Sequence, residues 1–160
     1  MKSNKIKKID EIIKLIDKLK KQKKIVVTTN GCFDIIHSGH VEYLKKAKSF
    51  GDVLIIALNS DISVKKYKGD KRPINNWTNR AKVLEGLESV DYIVKFNEKT
   101  PVMILNKIKS HIHVKGGDYK KEDLPEYNTI IKNGGKIKIV KYIRGISTTN
   151  IIKKILEISK

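Results

Sequence analysis

The chain has 160 residues, 39% hydrophobic, 6% aromatic and 32% charged, which is the size of one globular domain and leaves no room for two. A single cysteine, Cys32, excludes an internal disulfide, and no apolar run reaches the roughly 18 residues of a membrane span; the longest, Val53 to Leu58, has the length of a strand. The net charge of +18 comes from 32 lysines and only three arginines, Arg72, Arg80 and Arg144, spread along the chain, so it reads as solvated faces. A nucleic-acid surface adds arginines and stacking aromatics to its charge, and none is expected here.

Ile6, Ile9, Ile12, Ile13, Ile16 and Leu19 recur at helical spacing and predict one amphipathic helix over about 6–22. Asp10, Glu11 and Asp17 on that helix favour packing over a lipid surface, and its lysines rule out a secretory leader, so the chain reads as cytoplasmic with no membrane partner. Ile25 to Thr29 is a β-branched strand, Asn30-Gly31 breaks it, and Ser38 or Gly39 opens a helix to Phe50. The unalternating strand 53–58 implies burial on both faces.

A polar connection from Asn59 to Asn76 leads to a helix over about 78–88, with Val83, Leu84 and Leu87 inward, then to the strand Tyr92-Ile93-Val94. Thr100 is expected to cap a helix whose first residue is Pro101 and which runs over Val102, Met103, Leu105 and Ile108. The strand His111–Val114, a weaker helix 124–132, an edge strand Ile137–Ile143 with alternating lysines, and a helix 148–158 capped by Ser147 complete the chain. Strand and helix alternate throughout, which predicts a mostly parallel five-stranded α/β sheet with helices on both faces. Residues 1–160 form one domain, with a packing helix over 1–23 and the sheet core over 24–160.

Ligands of such sheets bind beyond the carboxyl ends of the strands at the topological switch point. Three loops there are unusual. The first runs Asn30-Gly31-Cys32-Phe33-Asp34-Ile35-Ile36-His37-Ser38-Gly39-His40. A helix N-terminus offers free N–H groups, Gly39 admits a close phosphate, and two imidazoles can donate to its oxygens. A plain capped helix or a metal-binding histidine pair are the alternatives, but zinc needs further ligands, and His111 and His113 point to opposite faces of a strand. No metal site is expected, and these two histidines read as strand residues. The second loop, Lys115-Gly116-Gly117-Asp118-Tyr119, suits a nucleoside or an ordinary turn. The third, Gly145-Ile146-Ser147-Thr148-Thr149, puts three hydroxyls at a helix start, where a cap needs one.

Gly31-Cys32-Phe33-Asp34, His37-Ser38-Gly39-His40 and Ile146-Ser147-Thr148-Thr149 together resemble the paired signatures of the H-x-G-H nucleotidyltransferases, the cytidylyltransferase-like superfamily. Asn59-Ser60-Asp61, Lys68-Gly69, Arg72-Pro73-Ile74-Asn75, Arg80-Ala81, Val90-Asp91-Tyr92 and Lys115-Gly116-Gly117-Asp118-Tyr119 resemble one branch, the D-glycero-β-D-manno-heptose 1-phosphate adenylyltransferases, over nearly the whole chain. The resemblance implies a Rossmann-like fold, a homodimer, and transfer of the nucleotidyl group of ATP, with the Mg²⁺ that ATP carries, to a phosphorylated sugar. It makes His37, His40, Lys68, Arg80 and Ser147 catalytic; Asn30, Gly31, Cys32, Phe33, Gly39, Lys115, Gly117, Asp118, Ile146, Thr148 and Thr149, with His37, His40 and Ser147, nucleotide-binding; and Asp34, Lys68, Arg72 and Arg80 substrate-binding.

Three positions depart from the branch: Asn150 stands where a basic residue follows the threonines, Arg144 where an acid is usual, and Trp77 in a stretch that is otherwise more acidic. A cytidylyltransferase for glycerol 3-phosphate shares the two phosphate motifs and is the nearest alternative. A basic nucleic-acid-binding module on a degenerate form of this fold is the alternative from another class, and the intact phosphate loops argue against it.

Overall fold

The computed structural model describes residues 5–141 and 145–159. Its strands are β1 (Ile6–Lys7), β2 (Val26–Gly31), β3 (Val53–Asn59), β4 (Tyr92–Phe96), β5 (Ile112–Gly116) and β6 (Lys136–Val140). Its helices are α1 (Ile9–Lys21), α2 (Ser38–Lys48), α3 (Asp61–Lys68), α4 (Trp77–Glu85), α5 (Val102–Ile108), α6 (Tyr127–Lys132) and α7 (Thr148–Ile158), with a 3-10 turn over Lys121–Asp123. The strands are parallel and ordered β1-β4-β3-β2-β5-β6.

The central strand shows why the sequence carried no alternation there. Leu54, Ile56 and Leu58 pack on one face with Leu44 and Ala47 of α2 and Ala81 and Leu84 of α4. Ile55 and Ala57 pack on the other with Ile12 and Ile16 of α1 and Leu105 and Ile108 of α5. Full burial of each large aliphatic side chain contributes about 1.5–3 kcal/mol, so the sandwiched strand anchors both layers. β6 is an edge strand as expected, with Lys136 and Lys138 exposed and Ile137 buried.

Several expectations change. The sheet has six strands because Ile6 and Lys7 leave the predicted first helix and pair with Ile93 and Val94; two residues carry no readable period. The expected polar connection holds α3, which buries only Ser63 and Val64 and is capped by Ser60 Oγ accepting from Ser63 N at 3.2 Å. Val83 is exposed rather than inward. Pro101 itself occupies the N-cap of α5, and its carbonyl accepts from Leu105 N at 2.9 Å, so Thr100 does not cap. The last helix begins and ends as read, with Ser147 Oγ accepting from Asn150 N at 3.1 Å. Ile143, and the departure at Arg144, lie outside the described residues.

His111 and His113 serve the sheet, as anticipated. His111 Nδ1 accepts from Val26 N at 3.0 Å, and His113 is fully buried with Nδ1 3.0 Å from Thr28 Oγ1. β3 flanks β2 on one side and β5 on the other, so the chains leaving β2 and β5 diverge and open a crevice between them.

Candidate active site

The crevice is a cleft of about 530 Å³ at that switch point. Its floor is the end of β2 and of β5, Asn30-Gly31 and Lys115-Gly116, and its walls include His37, Gly39 and His40 at the start of α2 and Ile146 to Thr149 at the start of α7. Two helix N-termini therefore meet one cleft, each presenting unpaired N–H groups where negative charge is favoured.

The H-x-G-H segment is tightly shaped. The His37 and His40 rings stack with centroids 3.9 Å apart, and the Phe33 ring lies tilted against His40 with centroids 5.2 Å apart. Phe33 adopts a left-handed backbone, φ 45°, which a bulky residue holds only when its surroundings fix it. A Cβ at Gly31 would come within 2.8 Å of the Phe33 ring, and one at Gly39 within 3.0 Å of His37 Nδ1. Gly39 thus lets the His37 ring fold over the helix start. Gly39→Ala is expected to displace that ring and weaken nucleotide binding by about tenfold while shifting the thermal midpoint little, as titration calorimetry beside a melting curve would show.

Burial, with the neighbouring His37 ring adding to it, holds the His40 imidazole well below its ordinary 6.5, down to about 4; burial lowers His37 as well. Both rings are neutral at pH 7. Each neutral ring carries one N–H, and both Nδ1 atoms are covered without a hydrogen-bond partner among the described residues, so the proton is best placed on Nε2. That makes Nε2 the donor of each imidazole, on two residues that line the cleft.

The unfolded chain takes up these protons first, near pH 6.5, while folded His40 resists until about pH 4. Stability contributed by the neutral ring is complete above the upper value and is lost as pH falls through this window. Urea midpoints measured between these limits should fall with pH, and His40→Asn should flatten the slope.

Asp34 is nearly inaccessible and ties the first loop to the segment before α4. Its carboxylate accepts from Arg72 Nε at 2.6 Å, Ile74 N at 2.9 Å and Asn75 N at 2.8 Å. Burial alone would raise this carboxyl, but the two main-chain N–H groups and the guanidinium hold it below its ordinary range. Asp34 and Arg72 both line the cleft, and Lys68 and Lys99 stand at its exposed rim. Burial pushes the Cys32 thiol up, which keeps it protonated and excludes a thiolate nucleophile.

Arg80, expected on phosphate, does not line the cleft. Its fully buried guanidinium donates to Cys32 O at 2.6 Å, Asn75 O at 2.9 Å and Asp61 Oδ1 at 2.8 Å. It is the strut under the loop that follows β2. Gly117 and Asp118 also fall outside the lining, and Gly117 N donates to Val140 O at 3.0 Å. Thr148 Oγ1 donates to Ile35 O at 3.2 Å, tying the start of α7 to the loop before α2. The remaining expected residues, Asn30, Gly31, Cys32, Phe33, Asp34, His37, Gly39, His40, Lys68, Arg72, Lys115, Ile146, Ser147, Thr148 and Thr149, converge on the one cleft.

The model of the cytidylyltransferase-like family matches residues 28–154, which span every one of these loops. The chain belongs to the cytidylyltransferase-like family. Among curated relatives, the bifunctional protein HldE of Aliarcobacter butzleri is 52% identical over 97% of this chain, and that of Geobacter metallireducens 47% over 95%. The chain spans about a third of the length of each, 32% and 31%. Among solved structures, the lipopolysaccharide core biosynthesis protein of Thermoplasma volcanium has a TM-score of 0.62 at 29% identity, covering 75% of this chain and 97% of that one. The pantoate-beta-alanine ligase of Francisella tularensis, with a TM-score of 0.58 at 19% identity over 95% of this chain and 77% of that one, shares the fold.

This cytidylyltransferase-like cleft also contains Asn59 and Tyr119, from strings already singled out but given no role, and four residues that no motif announced: Tyr43, Tyr67, Lys99 and Glu126. Tyr43 lies three residues after His40 on α2, and its hydroxyl donates to Val114 O at 3.0 Å and is 2.7 Å from Thr29 Oγ1. It pins α2 across both strands of the switch point. Its helical spacing from His40 was the available signal.

Proposed function

We propose that the chain is a nucleotidyltransferase joining D-glycero-β-D-manno-heptose 1-phosphate to ATP, giving ADP-heptose and pyrophosphate. The observation that carries this reading is the convergence of two helix N-termini, two neutral imidazoles and the Lys68–Arg72 cations on one switch-point cleft. The heptose branch is supported by the strings from Asn59 to Asp61, Arg72 to Asn75 and Lys115 to Tyr119, and by the likeness to a lipopolysaccharide core biosynthesis protein from Thermoplasma volcanium.

A sugar phosphate is already anionic at pH 7, so it attacks the α-phosphorus without a general base, in line with the departing pyrophosphate. The new bond joins a sugar-phosphate oxygen to the α-phosphorus, and the α–β bridging oxygen leaves with the electron pair. His37 and His40 donate through Nε2 to α- and β-phosphate oxygens as charge builds there. Ser147, Thr149 and the N–H groups of α7 receive the β- and γ-phosphates; Thr148 holds this loop to Ile35. Lys68 and Arg72 bind the acceptor's phosphate, with Arg72 aimed by Asp34. Lys115, with Asn30, borders the nucleoside.

Mg²⁺ belongs to the MgATP substrate. The donor set of imidazoles, lysines and hydroxyls suits phosphate oxygens, and no group of three or more metal-ligating side chains occurs among the described residues. No described helix is long and apolar enough to cross a membrane, and both substrates are those of the cytoplasm, where we place the reaction. A homodimer is supported by α7, which buries no residue and exposes Ile155, Leu156 and Ile158.

Mass spectrometry of the product from heptose 1-phosphate labelled with ¹⁸O in its phosphate tests the mechanism. All label should appear in the ADP-sugar and none in pyrophosphate. Label in pyrophosphate contradicts attack on the α-phosphorus.

A further inference from the structure

Glu126 is fully buried although it lines the cleft, standing at the N-cap of α6 beside Tyr119, Leu124 and Pro125. Its Oε1 accepts from Lys115 Nζ at 2.8 Å and lies 3.4 Å from His113 Nε2. Lys115 Nζ also donates to Asn30 Oδ1 at 3.0 Å, so a polar chain runs from α6 over β5 to β2 along the cleft floor. The other oxygen, Oε2, has no hydrogen-bond partner among the described residues.

A buried carboxylate oxygen left bare is costly, and folded proteins keep few of them. Lys115 needs only one oxygen, so pairing with Lys115 does not account for the second. Polyphosphate would be repelled by this carboxylate, and its donors stand at the starts of α2 and α7. The flat apolar surfaces of Tyr119, Leu124 and Pro125 instead suit a nucleoside.

We infer that Glu126 is a nucleotide-selecting residue whose Oε2 accepts a hydrogen bond from an N–H or O–H donor on the bound nucleoside. The inference rests on the nucleotidyltransferase reading above. Two donors supply the same chemistry, an exocyclic amine of the base and the ribose 2′-hydroxyl. ITP lacks the first and 2′-deoxy-ATP the second. Glu126→Gln cannot serve both sides: with its oxygen kept toward Lys115, the carboxamide presents an NH₂ to the ligand's donor.

The test is titration calorimetry of ATP, ITP and 2′-deoxy-ATP, each with Mg²⁺, on the wild-type chain and on Glu126→Gln. Wild type should bind ATP about tenfold or more tightly than one of the two analogues. Glu126→Gln should bring ATP down to that analogue's affinity and leave that analogue unchanged. Glu126→Asp, which keeps the charge but retracts it, should lose the same preference and serves if the glutamine variant does not fold. Equal wild-type affinity for all three nucleotides overturns the inference, and so does an equal loss for all three on substitution, which would mean that Glu126 acts only through Lys115. Absence of any ATP binding by wild type overturns the nucleotide reading and this inference together, and is told apart because it is measured first.

Discussion

His40→Ala is expected to lower turnover by about 100-fold to 1,000-fold while the dissociation constant for MgATP rises less than about tenfold. The ring stacks on His37 and lies against Phe33, neutral, with its covered Nδ1 leaving the proton on Nε2. Charge on the α- and β-phosphate oxygens grows as the pyrophosphate departs, so this donor's contact strengthens between ground and transition state. An interaction of that kind is lost from kcat more than from binding. Ser147→Ala is expected to be milder, because the α7 N–H groups and Thr149 remain. Steady-state kinetics beside calorimetry decide the matter: equal loss of binding and turnover would reduce His40 to a packing role.

Arg80→Ala is expected to destabilise the fold by about 3–5 kcal/mol. The substitution strands the carbonyls of Cys32 and Asn75 and leaves Asp61 without its partner. Arg80→Lys does not rescue, since one ammonium cannot reach three acceptors that the planar guanidinium meets at once. Urea denaturation of both variants checks this. Wild-type stability in either one, combined with weakened phosphate binding, would return Arg80 to the role its sequence context suggested.

Arg80 also marks where the sequence stops informing. Three arginines among 32 lysines single it out as important, but a guanidinium suits phosphate and main-chain carbonyls equally well, and only burial tells them apart. The loops that meet in the cleft were legible because glycine, imidazole and hydroxyl at a strand-to-helix turn have few other uses. The parallel sheet was legible because β3 is apolar on both faces. β1 was not, since two residues carry no period, and neither was α3, whose stability comes from a serine cap and two small buried side chains. Glu126 escaped notice for a related reason: Leu124-Pro125-Glu126 reads as an ordinary helix entry until β5 brings Lys115 and His113 against it.

Pyrophosphate release with Mg²⁺, from ATP or CTP against D-glycero-β-D-manno-heptose 1-phosphate or glycerol 3-phosphate, tests the central claim most directly. The account predicts release from ATP with the heptose phosphate and from no other pair. Release from CTP with glycerol 3-phosphate would keep the fold and the in-line chemistry but contradict the substrates, and silence in all four would contradict the proposed activity.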